Sequence, residues 1–225
     1  MQALQATQWF LRVILAAALL LPFGAFAKVD CEAADARGVQ RCKAGLDDAQ
    51  IRQIQRSQEK SQWCWAASIA MVFAHHGFTV SQEQVVRRQF ADLADRAVSG
   101  SAITEMLSRG WKDGRGRQFQ PVAAVADPYA RRFEVAAQNL VQELSEERPL
   151  IFGAETHAMV LVQVEFERGA AGAIVRITGG TVIDPAPGKG VRSLQRQEMR
   201  PKYVAAVQLA PASQLAAAGG APAAE

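Results

Sequence analysis

Between residues 62 and 76 the apolar positions Ala66, Ile69, Ala70 and Phe73 recur at helical spacing, and Gly77 supplies a stop. The pattern predicts a helix beginning at Gln62 or Trp63, with Ser61 as its cap. A second helix has a clearer start. Ser81 and Gln84 make a capping box, and Val80 and Val85 are placed as a hydrophobic staple, so this helix is expected to run to about Leu93. Ser101 opens a third, with Ile103, Met106 and Leu107 on one face and Gly110 at its end. Residues 111–120 are rich in Gly and Arg and read as a loop. Residues 131–144 read as an amphipathic helix through Phe133, Ala137, Leu140, Val141 and Leu144. Beyond residue 148 the pattern changes. Residues 149–152, 159–166, 173–177, 181–183 and 203–209 are short β-type runs. Helices first and strands second, with no internal repeat, predict an α+β fold rather than alternating β-α units.

The ends read differently from the middle. Residues 1–27 carry one charge, Arg12, then an apolar run broken by Pro22 and Gly24, then the small-x-small sequence Ala25-Phe26-Ala27. This is the layout of a secretory signal peptide. The alternative is an uncleaved anchor, but residues 13–27 fall short of the roughly 20 needed to span a bilayer as a helix. Cleavage leaves 225 − 27 = 198 residues, enough for one domain with a real core. The expected organisation is a signal peptide over 1–27, an N-terminal extension over 28–54, one domain over 55–209 and a flexible Ala/Pro/Gly tail over 210–225. Export to the periplasm or the medium follows, with no membrane contact after cleavage. Net charge is +3 with the charges interspersed, so no basic stripe suggests nucleic acid as a partner.

Export also implies oxidising surroundings, where thiols pair. The cysteines are Cys31, Cys42 and Cys64, an odd number. Cys31 and Cys42 flank a short polar stretch and are the natural pair, which leaves Cys64 free. A bridge from Cys64 to either of the others is the alternative.

A free thiol at the start of a helix can be activated, because a helix N-terminus and a nearby imidazolium both favour the thiolate. The chain has three histidines. His75 and His76 belong to the same predicted helix as Cys64. His75 lies 11 residues on, about 16 Å along the axis. A base must come within about 3 Å of its proton, so both are excluded and are expected to sit at the helix C-terminus, where a cation is mildly favoured. His157, at the start of an apolar strand, remains. The imidazole needs an acceptor on its second nitrogen. Asp184, at the end of a strand before Pro185, is the choice; Glu155 is the rival, and Asp127-Pro128 offers the same dipeptide. An oxyanion needs preset donors. The Cys64 N–H is one; Gln58, Gln55 and Gln62 are the candidates for the second, and what favours Gln58 is its position relative to the cysteine, which needs comparison with a known family. Three histidines, two of them remote, offer no zinc spacing, so neither metal nor cofactor is expected.

Gln58, six positions before Cys64-Trp65, resembles the motif of the papain-like cysteine peptidases, in particular the compact bacterial branch with staphopain-like enzymes, effector proteases and relatives of bacteriocin-processing peptidases. The resemblance covers roughly residues 55–209. It implies a helical half with a central helix carrying Cys64, and an antiparallel sheet half carrying His157 and Asp184. It implies a thiol protease acting as a monomer on peptide or protein substrates. Two departures stand out: the third residue is Asp rather than the Asn of papain itself, and His157 and Asp184 are 27 positions apart. A transglutaminase-like acyltransferase with the same three residues and a catalytically silent peptide-binding or secretion-accessory module are the other readings.

Overall fold

The computed structural model describes residues 28–126 and 136–210. The expected signal peptide, residues 211–225 of the tail, Asp127 and the first part of the helix expected from residue 131 lie outside the described residues. The elements run β1 (Val29–Cys31), β2 (Gln40–Gly45), α1 (Asp48–Ile54), α2 (Cys64–His75), α3 (Gln82–Phe90), α4 (Gly100–Leu107), β3 (Trp111–Lys112), β4 (Gln118–Ala126), α5 (Ala137–Ser145), β5 (Leu150–Ala154), β6 (His157–Arg168), β7 (Ile174–Asp184), β8 (Gly190–Ser193), a 3-10 turn (Arg196–Met199) and β9 (Tyr203–Ala210). The fold is α+β, as the segregation of helical and strand-like patterns predicts.

The sheet is antiparallel throughout, in the order β1-β2-β6-β5-β9-β4-β3, with β7 on the other side of β6 and β8 beyond it. β6 is the spine. Ala158, Val160 and Val162 face one core; Met159, Leu161, Val164 and Phe166 face the other. The parity changes at an irregularity in pairing with β7 between Leu161 and Gln163. Burial on both faces explains why this strand is a nearly unbroken apolar run rather than an alternating one. On the first face lies α2, whose residues from Cys64 to Phe73 are all buried. A helix that is apolar all round must be covered on every side, and β6, α1 and α3 cover it. α5 closes the opposite face through Val141 and Leu144.

Several local expectations hold and several move. The Ser81–Gln84 capping box forms in full. α3 stops at Phe90, where Ala91 takes a left-handed conformation, rather than at Leu93. α4 is capped by Ser99, not opened by Ser101. Residues 111–120 are not a plain loop. They close the β3–β4 hairpin, whose turn is held by the Asp113 carboxylate accepting from the N–H groups of Arg115 and Arg117 and from Arg117 Nε. The strands flanking that turn are hard to read because β3 has two residues and β4 is rich in alanine.

β1 and β2, in the stretch expected as an extension, are strands of the main sheet, and β2 pairs with β6 along its length. Gly45 permits that junction: at φ 138°, a Cβ there would come within 2.2 Å of the Val162 carbonyl oxygen. Cys31 and Cys42 face each other across β1 and β2 and are disulfide-bonded. The bridge closes a separation of 11 residues, which by chain entropy contributes roughly 2–3 kcal/mol. Replacing both cysteines by serine is expected to lower the thermal midpoint by roughly 5–10 °C, measured by calorimetry.

Candidate active site

α2 begins on Cys64 itself. Its N-cap is Trp63, with no side-chain cap hydrogen bond. Ser61, expected as the cap, instead donates its hydroxyl to Asp95 Oδ2 at 2.8 Å. An uncapped first turn leaves backbone N–H groups with no intrahelical partner, and one of them, from Trp65, points at the Cys64 sulfur. Cys64 is unpaired, as expected if Cys31 and Cys42 pair, and is 9% exposed.

His157 is the first residue of β6 and reaches the thiol from the sheet side. The β5–β6 turn sets its place. Ala154 pairs with His157, so Glu155 and Thr156 form a two-residue turn, with Glu155 in the left-handed region at φ 52°. That turn sends the Glu155 carboxylate out to Lys202, 3.3 Å away. The acceptor on His157 is therefore Asp184: Nε2 and Oδ1 are 2.7 Å apart. Nδ1 is left as the ring nitrogen toward Cys64. Asp184, the last residue of β7, is 4% exposed.

The electrostatics follow from these contacts. Burial pushes the Cys64 thiol up, but hydrogen bonds from His157 and the Ala158 N–H, the imidazolium charge and the Trp65 N–H outweigh it, and the net shift is down. The hydrogen bond with Cys64 raises His157; burial opposes it and Asp184 reinforces it, for a net rise. Burial likewise pushes Asp184 up, yet the Ala186 N–H, His157 and Arg192 hold it below the usual carboxylate range. His75 ends α2 and His76 is its C-cap, remote from the thiol as the helix rise predicts, but both are pushed toward the neutral form. Burial and the charge of His76 push His75 down to about 4, and burial lowers His76, whose Nε2 lies 2.9 Å from the Val207 carbonyl.

Gln58 sits in the loop that leads into Cys64. Its Nε2 donates to the carbonyls of Lys60 and Ser61 at 2.9 and 2.8 Å, and its Oε1 is buried without a partner. Of the alternatives, Gln55 packs its Nε2 near Gly190 and Gln62 is exposed. The loop is clamped from three directions. Gln82, buried on α3, accepts from the Glu59 N–H and donates to the Ser57 carbonyl, so it straddles Gln58. The Gln58 N–H donates to Pro185, next to Asp184. The segment before α4 supplies the third clamp. Asp95 accepts from Ser61 and the Gln62 N–H, and the indoles of Trp63 and Trp65 donate to the carbonyls of Ala94 and Arg96.

A cleft of about 690 Å³ opens beside Cys64 and His157. One wall is the chain from Ala97 into α4, continuous with the Asp95 clamp; the other is the β5–β6 turn and the start of β9 at Tyr203. The sequence pointed to Cys64, His157, Asp184 and Gln58. The structure brings His157 to Cys64 and Asp184 and places Gln58 in the loop before Cys64, and it adds contacts from Gln82, Asp95, Arg192 and Glu198 that the sequence reading did not name. Only Glu198 carried a local signal, as the third residue of a capping box that starts at Gln195.

An antiparallel sheet with a buried central helix that starts on a cysteine, and a histidine facing it from a strand, defines a papain-like cysteine peptidase. Residues 44–200 match the papain-like cysteine protease AvrRpt2 family, and the chain belongs to it. Among solved structures, the chain is similar to the crystal structure of a double glycine motif protease from AMS/PCAT transporter in complex with the leader peptide. Identity is 19%, coverage is 67% of this chain and 87% of that one, and the TM-score is 0.38. No curated protein matches the chain. Among the described residues no helix is long and apolar enough to cross a membrane, and no group of three or more His, Cys, Asp or Glu could hold a metal ion.

Proposed function

We propose that the protein is an exported peptidase that cleaves peptide bonds through Cys64, His157 and Asp184. The observation that carries this reading is His157 held between two partners, Asp184 Oδ1 at 2.7 Å on one nitrogen and the Cys64 thiol on the other. Cys64 as thiolate attacks the substrate carbonyl, and His157 as imidazolium protonates the leaving amine. His157 then takes a proton from water, which hydrolyses the acyl-enzyme and frees the thiol. Asp184 keeps the imidazole in one tautomer and favours its charged form. The oxyanion is held by the Cys64 N–H at the uncapped helix start and by Gln58, whose amide releases one of its two loop carbonyls when substrate enters. Export is supported by the signal-peptide pattern of residues 1–27 and by the Cys31–Cys42 disulfide.

The pH dependence has a definite sign. Cys64 is lowered and His157 raised, so the thiolate–imidazolium pair exists between the two. Activity is expected to be lost as pH falls through the Cys64 value and again as it rises through that of His157. At pH 6 a free thiol is about 0.3% thiolate. Cys64 in the mature chain is expected to react with iodoacetamide roughly tenfold or more faster than glutathione, after allowance for the weaker nucleophilicity of a low-pKa thiolate. Mass spectrometry gives the rate. Labelling no faster than glutathione would remove the nucleophile from this reading.

A further inference from the structure

We propose that Arg192 is a positioning residue for this site, locking Asp184 in one orientation and making an ionised carboxylate, rather than an amide, obligatory there. The proposal rests on the roles just assigned to Cys64, His157 and Asp184. The β7–β8 hairpin delivers Arg192 to its place. Asp184 pairs with Gly190 and Val182 with Arg192, so Arg192 lies diagonally across from Asp184 on the same face, within reach of a long side chain.

Every N–H of the guanidinium has an acceptor. Nε donates to Asp184 Oδ2 at 2.8 Å. The two Nη atoms grip both oxygens of Glu198, at 2.8 and 2.7 Å, and their remaining hydrogens go to the Ser193 carbonyl and Met159 Sδ. Glu198 is fixed in turn by the Gln195 N–H at 2.7 Å. The Arg192 side chain is 19% exposed, and those of its partners Asp184 and Glu198 are 4% and 12% exposed. Five donors in a planar fork satisfy this arrangement; the three of a lysine ammonium cannot.

Two consequences follow for the reaction. Arg192 holds Oδ2, so Oδ1 is left to face His157 and Ala186. Three N–H donors therefore converge on one side chain, and only an acceptor-only carboxylate satisfies all three. This explains why Asp stands where papain itself has Asn. Arg192 alone would also cancel the charge of Asp184. Glu198 restores it, so Asp184, Arg192 and Glu198 together present one net negative charge to the imidazolium. The other charged groups around His157 are Cys64 from α2 and the Glu155–Lys202 pair at the cleft rim.

Two variants separate geometry from charge in the mature protein. Arg192→Lys keeps the charge and loses the fork. It is expected to lower kcat on fluorescein-labelled casein roughly tenfold, with KM unchanged, because misplaced catalytic groups act on the chemical step. Glu198→Gln keeps Arg192 but brings the cluster to zero charge. The pH midpoint of His157, followed by imidazole NMR, is expected to fall by about 0.5–1. A wild-type kcat in Arg192→Lys, or an unmoved His157 midpoint in Glu198→Gln, overturns the proposal; if Glu198→Gln does not fold, Arg192→Lys decides it alone. The underlying reading fails differently: there, the wild type itself would show an ordinary His157 midpoint and a Cys64 that labels like a free thiol.

Discussion

Cys64→Ala is expected to abolish casein hydrolysis, by on the order of 10⁴-fold or more, while the thermal midpoint changes little. The size follows from the step that is lost. Without sulfur there is no acyl-enzyme, and the remaining donors can only polarise a carbonyl for attack by water. The stability side follows from the site. Cys64 is a helix residue on a cleft wall, alanine is a better helix former, and the sulfur fills only one corner of the core. His157 keeps its bond to Asp184, and the His157, Ala158 and Trp65 donors that lose the sulfur line the open cleft, where water replaces it. Assay and calorimetry on the same preparation provide the check. Hydrolysis retained in a folded Cys64→Ala would sink the mechanism.

Asp184→Asn is expected to lower kcat/KM by roughly 10²- to 10⁴-fold, even though an asparagine serves in papain itself. The reason is local. An amide offers one oxygen and one NH2 where the N–H groups of His157, Ala186 and Arg192 all point inward. With the oxygen toward His157, the NH2 confronts Arg192; turned over, it confronts His157 and Ala186. Either way a buried donor loses its acceptor, which costs about 1–3 kcal/mol and misplaces the ring. The His157 midpoint should also drop, because the imidazolium loses its counter-charge. A variant with wild-type kcat/KM and an unshifted His157 would show that neither the charge nor the orientation of Asp184 matters.

Much of this site is legible in the sequence because its signals are short-range or are matters of counting. The odd cysteine, the distance from Cys64 to His75 along a helix and the Gln-to-Cys-Trp spacing each need no tertiary information. The choice between Asp184 and Glu155 does need it. Side-chain direction along a strand leaves both open, and the outcome depends on a left-handed Glu155 that swings its own carboxylate to Lys202. Ser61 misleads for a related reason. Its hydroxyl can serve the helix start or Asp95, and the clamp from residue 95, distant in sequence, wins.

What the sequence alone determined here is whatever rests on nearest neighbours or on counting: the Ser81–Gln84 cap, the stop at Gly77, the apolar runs that become α2 and β6, and that one of three cysteines stays unpaired. The tertiary structure decided which distant groups close on that thiol. β2 joins β6, Gln82 and Asp95 grip the loop before Cys64, and Arg192 with Glu198 fixes Asp184. Helix and turn signals act over three or four residues. Hydrogen bonds beyond that reach, from 6 positions for Arg192–Glu198 and 8 for Asp184–Arg192 to 33 for Gln62–Asp95, are set only when strand register or loop packing brings the two groups together, and no local pattern encodes that.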